Sequence, residues 1–266
     1  MNRNGKLALA FHALFVAFTL APLVVVMLVA FTPGTLLVIP TSGISLRWFH
    51  AILENRQFIA AFRISIILGV LAATGAMLLA VPAAIAIARH EFPGRQALIA
   101  LFLSPLIIPH IVLGVAFLRF FTAFGITGTF AGLVGTHVLV IFPYGLRLCL
   151  ASLTAADPAI ERAAISLGAS AWRLFRRVTL PMMLPGIAGG WIIAFIQSFD
   201  EVTMTVFVAT PSTTTLPVRM YHYIEESIDP LVASASTVVI VLTFLLMWFI
   251  DRVYGLDRML VGRGRQ

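Results

Sequence analysis

The run ISIILGVLAATGAMLLAVPAAIAIA, from Ile64 to Ala88, is 25 residues long and carries no charge. At ~1.5 Å of rise per residue, a helix of this length outspans the ~30 Å hydrocarbon core of a bilayer. Its apolar residues fall on every face, whereas a strand of a membrane barrel alternates apolar and polar over about 10 residues. Lipid offers no partner to backbone N–H and C=O groups, so a segment of this kind crosses as a helix. Working outward, Leu7 to Phe31, Ala97 to Phe121, Thr129 to Leu150, Met183 to Phe207 and Leu231 to Tyr254 read in the same way. The expectation is an all-α polytopic membrane protein of six transmembrane helices, with residues 1–266 forming a single transmembrane domain. Hydrophobic residues make up 60% of the chain and charged ones 11%, against about 25% charged in soluble domains. A water-soluble enzyme and a disordered chain are both excluded.

The first run follows Arg3 and Lys6 as a signal peptide would, but it is too long and lacks a small-residue cleavage site, so it reads as a span. An even number of spans puts both termini on one side. Thirteen of the 18 Lys and Arg residues fall on that side, among them Arg89, Arg95, Arg173, Arg176, Arg177, Arg258, Arg263 and Arg265. Arg47, Arg56, Arg63, Arg119 and Arg219 fall on the other. The positive-inside rule then predicts cytoplasmic termini in a bacterial inner membrane. The net charge of +7 is a topology signal, not a nucleic-acid footprint. Cys149 is the one cysteine, and the six histidines include no H-x-x-x-H pair, so no metal site and no disulfide is expected.

Three connections are long enough to do more than turn the chain: Thr32 to Arg63 and Val208 to Pro230 outside, and Ala151 to Met182 inside. The inner one carries Asp157-Pro158, Glu161-Arg162-Ala163-Ala164, Leu167-Gly168, Ser170, and Leu180-Pro181. Asp157 suits an N-cap with Pro158 at the first helical position, and Gly168 suits the left-handed residue that ends a helix. Ser170 can cap a second helix, in which Trp172 and Phe175 share one face and Arg173, Arg176 and Arg177 another. The pattern predicts a helix-turn-helix whose amphipathic second helix lies along the inner membrane surface. Ala163 and Ala164 admit the close approach of another backbone, which fits either a docking knob or packing on the chain's own helix ends.

This stretch resembles the EAA loop of ABC-importer permeases. Ala163-Ala164, Gly168, Val178 and Leu180-Pro181 stand at the spacing of that pattern, while Arg162 occupies its glutamate position and Glu161 precedes it. The resemblance implies a type I importer fold in which Glu161, Arg162, Ala163, Ala164, Leu167, Gly168, Leu180 and Pro181 couple the chain to a separate cytoplasmic ATPase. It also implies a second homologous permease chain, two ATPase copies and an external solute-binding protein as partners. No G-x-x-x-x-G-K-[ST] phosphate loop occurs, so no cofactor is expected on this chain, and ATP and magnesium are expected in the ATPase.

Within the predicted fifth span, Asp200 and Glu201 are adjacent carboxylates. A charge in hydrocarbon costs roughly 2.5 kcal/mol or more unless it faces water or a partner, so both are substrate-pathway candidates. The alternative at this point is a helix that ends near Phe199, leaving both acids solvated. Ser198-Phe-Asp-Glu-Val-Thr203, Thr215-Leu-Pro217, Met220-Tyr221, Asp229-Pro230, Ala233 to Thr237 and Leu46-Arg-Trp-Phe49 are similar to spermidine/putrescine-type permeases. Arg63 departs from that pattern, where an Asn is common. The resemblance implies a polyamine or similar organic cation as solute, with related importers for phosphonates, opines, amino-acid-like solutes or iron as alternatives. The residues alone also admit an ion-coupled carrier or channel using Asp200 or Glu201. An intramembrane enzyme lacks support, since neither G-x-S-x-G nor H-E-x-x-H occurs.

Weaker signals complete the reading. Pro105 and Pro109 are expected to bend the third span, with His110 donating to a freed carbonyl. Tyr221, His222 and Tyr223 fit an external gate or an interfacial anchor. Trp48, Phe49, Ile52 and Phe62 fit anchors. Ala80, Ala84 and Ala88, and Gly186 with Gly190, offer small faces for close helix packing.

Overall fold

The computed structural model describes residues 3–41 and 43–254. Arg258, Arg263 and Arg265, assigned above to the cytoplasmic side, lie outside the described residues. The regular elements among the described residues are all helical. In chain order they are α1 (Arg3–Val29), α2 (Arg47–Glu54), α3 (Arg56–Arg89), α4 (Arg95–Leu103), α5 (His110–Phe124) and α6 (Phe130–Ala155). Then follow α7 (Pro158–Ser166), α8 (Ala171–Leu174), α9 (Leu180–Phe199), α10 (Thr205–Val208), α11 (Leu216–Glu226) and α12 (Leu231–Tyr254).

Among the described residues four segments are long and apolar enough to cross a membrane: Leu7–Val29, Arg56–Arg89, Phe130–Ala155 and Ala171–Phe199. At the expected third span the chain does more than bend, because Arg95–Leu106 and His110–Phe124 meet at 97°. Pro105 closes the first piece in a 3₁₀ turn, and Pro109 takes an extended ψ of 131°, so neither proline continues the hydrogen-bond ladder and a new helix starts at His110. At the sixth position α12 runs for 24 residues, of which Leu231–Leu245 is the apolar stretch.

The helices pack in two units. One takes the chain through Ala60 together with Arg219–Ile250. In it Val29, Ala30 and Ala233 form a buried cluster, with Phe31 and Phe49 against it, and Ser234 Oγ donates to the Ala30 carbonyl at 3.1 Å. Trp48 differs from its expected role as an interfacial anchor: it is buried, and Nε1 donates to the Gly34 carbonyl at 3.1 Å. The Pro33-Gly34 turn supplies the acceptor that an indole needs once it leaves water. Asp229, two residues before α12, accepts from Leu231 N at 3.0 Å through its side chain and so satisfies the first N–H of that helix.

The other unit comprises Ala61–Val218, together with the described residues from Asp251 on. Its core joins Met77, Ala80, Ala84 and Ile87 of α3 with Leu146, Cys149 and Leu153 of α6 and Met183 of α9. The small-residue faces act as the sequence predicts. A Cβ at Gly186 would stand 2.5 Å from the Leu148 carbonyl oxygen, and one at Gly190 would stand 3.3 Å from Gly145 Cα. At Gly114 a Cβ would meet Met204 Cα at 3.1 Å, so α5 and the segment leading into α10 touch backbone to backbone. This close approach builds one of the two candidate sites.

Candidate coupling loop and translocation site

The inner connection folds as its punctuation predicts. Asp157 accepts from Ala159 N at 2.8 Å, Pro158 takes the first helical position of α7, and Gly168 adopts φ +79°. Gly168 N and Ala169 N return to the carbonyls of Ile165 and Ala164 at 2.9 and 3.1 Å, closing the helix end. Ser170 accepts from Arg173 N at 3.4 Å and starts the next segment.

That next segment departs from expectation. It is no separate surface helix: α8 passes through a π-helical stretch, Phe175–Thr179, directly into α9. Pro181 has no N–H to give and its ring crowds the carbonyl one turn back, and a widened turn just before it relieves both problems without breaking the helix. The fifth membrane helix therefore begins at Ala171 and ends at Phe199, displaced toward the loop relative to the predicted Met183 to Phe207.

Glu161 and Arg162 divide their roles by direction. Glu161 is buried, with Oε2 at 2.7 Å from Arg89 Nε and Oε1 accepting from Thr179 Oγ1 at 2.7 Å. Arg89 Nη2 reaches on to the Leu153 carbonyl at 3.5 Å. One carboxylate thus pins α7 to the end of α3 and to the π stretch. Arg162 and Ala163 face outward, Ala164 is half-buried, Leu180 is half-buried, and Pro181 is exposed. Leu167 is 88% exposed, and Ile160 and Ile165 are exposed beside it. An apolar tip on a rigid polar base is a surface built to be covered.

The second set of side chains gathers where α9 ends. Asp200 and Glu201 are not inside the helix but just past it. They are not equivalent, and they are not both solvated. Glu201 is buried, with Oε2 at 2.5 Å from His110 Nδ1 and Oε1 accepting from Met204 N at 2.7 Å. Asp200 is exposed. His110 thus finds a carboxylate where a freed carbonyl was expected, because the sharp turn after Pro109 aims it at the α9–α10 connection. Beneath them His137 of α6, fully buried, bonds Ser198 at 2.9 Å through Nδ1 and Thr205 at 3.0 Å through Nε2. Tyr221, in the other packing unit, is exposed on α11. Among the described residues no group of three His, Cys, Asp or Glu side chains is placed to hold a metal.

Sequence reasoning picked out Glu161, Asp200 and Glu201 but missed Arg89, Thr179 and His137. The last stood only as one histidine in an apolar run, and nothing local announces its partners. Arg89 was counted only for its charge.

Comparison with known proteins fits this arrangement. Residues 76–255 match the family described as "Binding-protein-dependent transport system inner membrane component". The spermidine/putrescine transport system permease protein PotC of Haemophilus influenzae is 32% identical over 205 residues, covering 77% of this chain and 80% of that protein. The molybdate/tungstate transport system permease protein WtpB of Thermococcus kodakarensis is 30% identical over 203 residues, 75% of this chain and 82% of that one. Among solved structures, a bacterial ABC transporter involved in import of the acidic polysaccharide alginate has the same fold, at a TM-score of 0.72 and 12% identity over 96% of this chain and 99% of that one. The chain belongs to the family of binding-protein-dependent transport system inner membrane components, and it has the fold of an ABC-importer permease.

Proposed function

We propose that the whole chain works as one six-span permease domain that carries a small organic cation of the polyamine class across a bacterial inner membrane, with both termini in the cytoplasm. A second permease chain completes the pathway, an external binding protein delivers the solute, and two ATPase subunits bind ATP and magnesium. Closure of the ATPases drags the 157–181 loop, and the spans rock between outward and inward access. The observation that carries the cation reading is the asymmetry past α9. His110 and the Met204 amide consume Glu201, while Asp200 keeps its carboxylate exposed for a passing cation. The resemblance to PotC supports the same solute class. Tyr221, exposed on α11, is assigned to the external part of the path.

Reconstitution of the complete system in proteoliposomes tests this. ATP-dependent accumulation of labelled putrescine or spermidine is expected. Asp200→Asn is expected to lower uptake about tenfold, the equivalent of ~1.4 kcal/mol of lost charge contact, with assembly and ATP hydrolysis retained. Accumulation of molybdate in place of polyamines, in line with WtpB, would overturn the solute class, and unchanged uptake by Asp200→Asn would overturn the residue's role.

A further inference from the structure

The loop carries a second surface that its apolar tip does not use. Arg173, Arg176 and Arg177 are all exposed and follow the i, i+3, i+4 spacing that puts side chains on one helix face. Among the described residues no carboxylate lies within ion-pairing distance of any of the three. Trp172 beside them is 67% exposed, its ring 5.6 Å from that of Phe175. An indole so exposed next to three unpaired guanidinium groups awaits an environment that is apolar on one side and anionic on the other.

Position along the helix identifies that environment. The π stretch makes this segment continuous with α9, whose apolar sequence starts at Leu180. A π turn rises less per residue than the ~1.5 Å of an α-helix, so Arg177 and Arg176 stand no more than about 4.5 and 6 Å outside Leu180, and Arg173 no more than about 10 Å outside. The headgroup layer on each side of a bilayer is roughly 5–7 Å thick, so two of the guanidinium groups lie within it and the third reaches it by snorkelling. Tryptophan is enriched at the same depth.

We propose that Trp172, Arg173, Arg176 and Arg177 form a binding surface for anionic phospholipid headgroups of the inner leaflet. The surface sits on the segment that joins the docking loop to its membrane helix, so headgroup contact fixes the height of the loop at the membrane. Charge complementarity selects the occupant: zwitterionic lipid presents these arginines no net charge, whereas each basic residue near an anionic surface adds a favourable increment. The inference depends on the hydrocarbon-embedded part of that helix beginning near Leu180 and not on which solute crosses, so it stands or falls separately from the polyamine reading.

The full chain in nanodiscs provides the test. Tryptophan fluorescence is quenched with brominated phosphatidylglycerol or brominated phosphatidylcholine at the same mole fraction, and the part due to Trp172 is taken as the part lost in Trp172→Phe. Brominated phosphatidylglycerol is expected to quench that part roughly twofold more strongly. The excess should vanish in Arg173→Gln/Arg176→Gln/Arg177→Gln. It should also vanish for the unsubstituted arginines in about 1 M salt, where the screening length falls to about 3 Å, which keeps the test decisive if the triple variant does not fold. Equal quenching by the two lipids, or an excess that survives both treatments, would overturn the proposal. So would loss of quenching by both lipids on adding the ATPase subunits, since the face would then belong to the ATPase.

Discussion

Gly186→Val is expected to prevent the permease from reaching a stable fold. α6 and α9 pack so closely at this point that a β-carbon would stand 2.5 Å from the Leu148 carbonyl oxygen and 2.6 Å from Ser152 Cβ. Neither atom is the far end of a flexible side chain, so the helices must move apart, and the whole contact loosens with them. The Ser152 hydroxyl would lose the Met182 carbonyl, 3.2 Å away, and Met183 would lose its fully buried seat. Overpacking of this kind costs about 1–3 kcal/mol and sometimes more. In a membrane the penalty is hard to offset, because close packing itself drives helix association. Size-exclusion profile and melting temperature of the purified protein are the readouts, with Gly189→Ala as the companion. At Gly189 a β-carbon meets only Leu148 Cδ1, at 3.7 Å, and near-normal behaviour is expected. A Gly186→Val protein that melts with the unaltered chain would show that α6 and α9 do not meet as described.

Glu161→Ala is expected to uncouple ATP hydrolysis from uptake. The substitution removes the group that pins α7 to Arg89 and Thr179, and it leaves a largely buried guanidinium and a buried hydroxyl without their acceptor. Breaking a buried ion pair typically costs 3–5 kcal/mol; Arg89 retains one-fifth exposure, so a loss of about 2 kcal/mol is the better expectation. The cost falls locally on the hinge between loop and membrane helices, so uptake should fall well below ATP hydrolysis in the assembled transporter. Glu161→Gln keeps an acceptor for Thr179 while losing the charge, and an intermediate ratio of uptake to hydrolysis is expected. If the ratio is unchanged in Glu161→Ala but collapses in Arg162→Ala, the pinning role is misassigned and the exposed arginine carries the stroke.

What the sequence made legible follows from the range of the interactions involved. Asp157, Pro158, Gly168 and Ser170 act on backbone groups two to four residues away, so their roles can be read without a structure, and the helix-turn-helix formed where they placed it. The small faces at Ala80, Ala84, Gly186 and Gly190 were equally visible, because size alone decides them. The second arm of the loop was misread because a π widening leaves no mark in the apolar period: Trp172 and Phe175 look the same on a free helix and on the first turns of a membrane helix. Which of Glu161 and Arg162 turns inward depends on Arg89 at the end of another helix. The pairing of Glu201 with His110 spans 91 residues and depends on the turn after Pro109. These partnerships are written in three dimensions only. The choice between a self-sufficient ion-coupled carrier and a component of a larger import system was likewise open on the carboxylates alone, and membership of a binding-protein-dependent transport family favours the second.

The central claim is that this chain is a passive pathway driven through the tip of its inner loop. A photo-crosslinking amino acid at Leu167, the most exposed apolar side chain of that tip, tests it in the assembled, transporting complex. The account predicts that illumination joins the permease to the ATPase subunit, with a yield that changes between the nucleotide-free and ATP-bound states. A complex that transports normally and yields no ATPase adduct from position 167 in either state would contradict it.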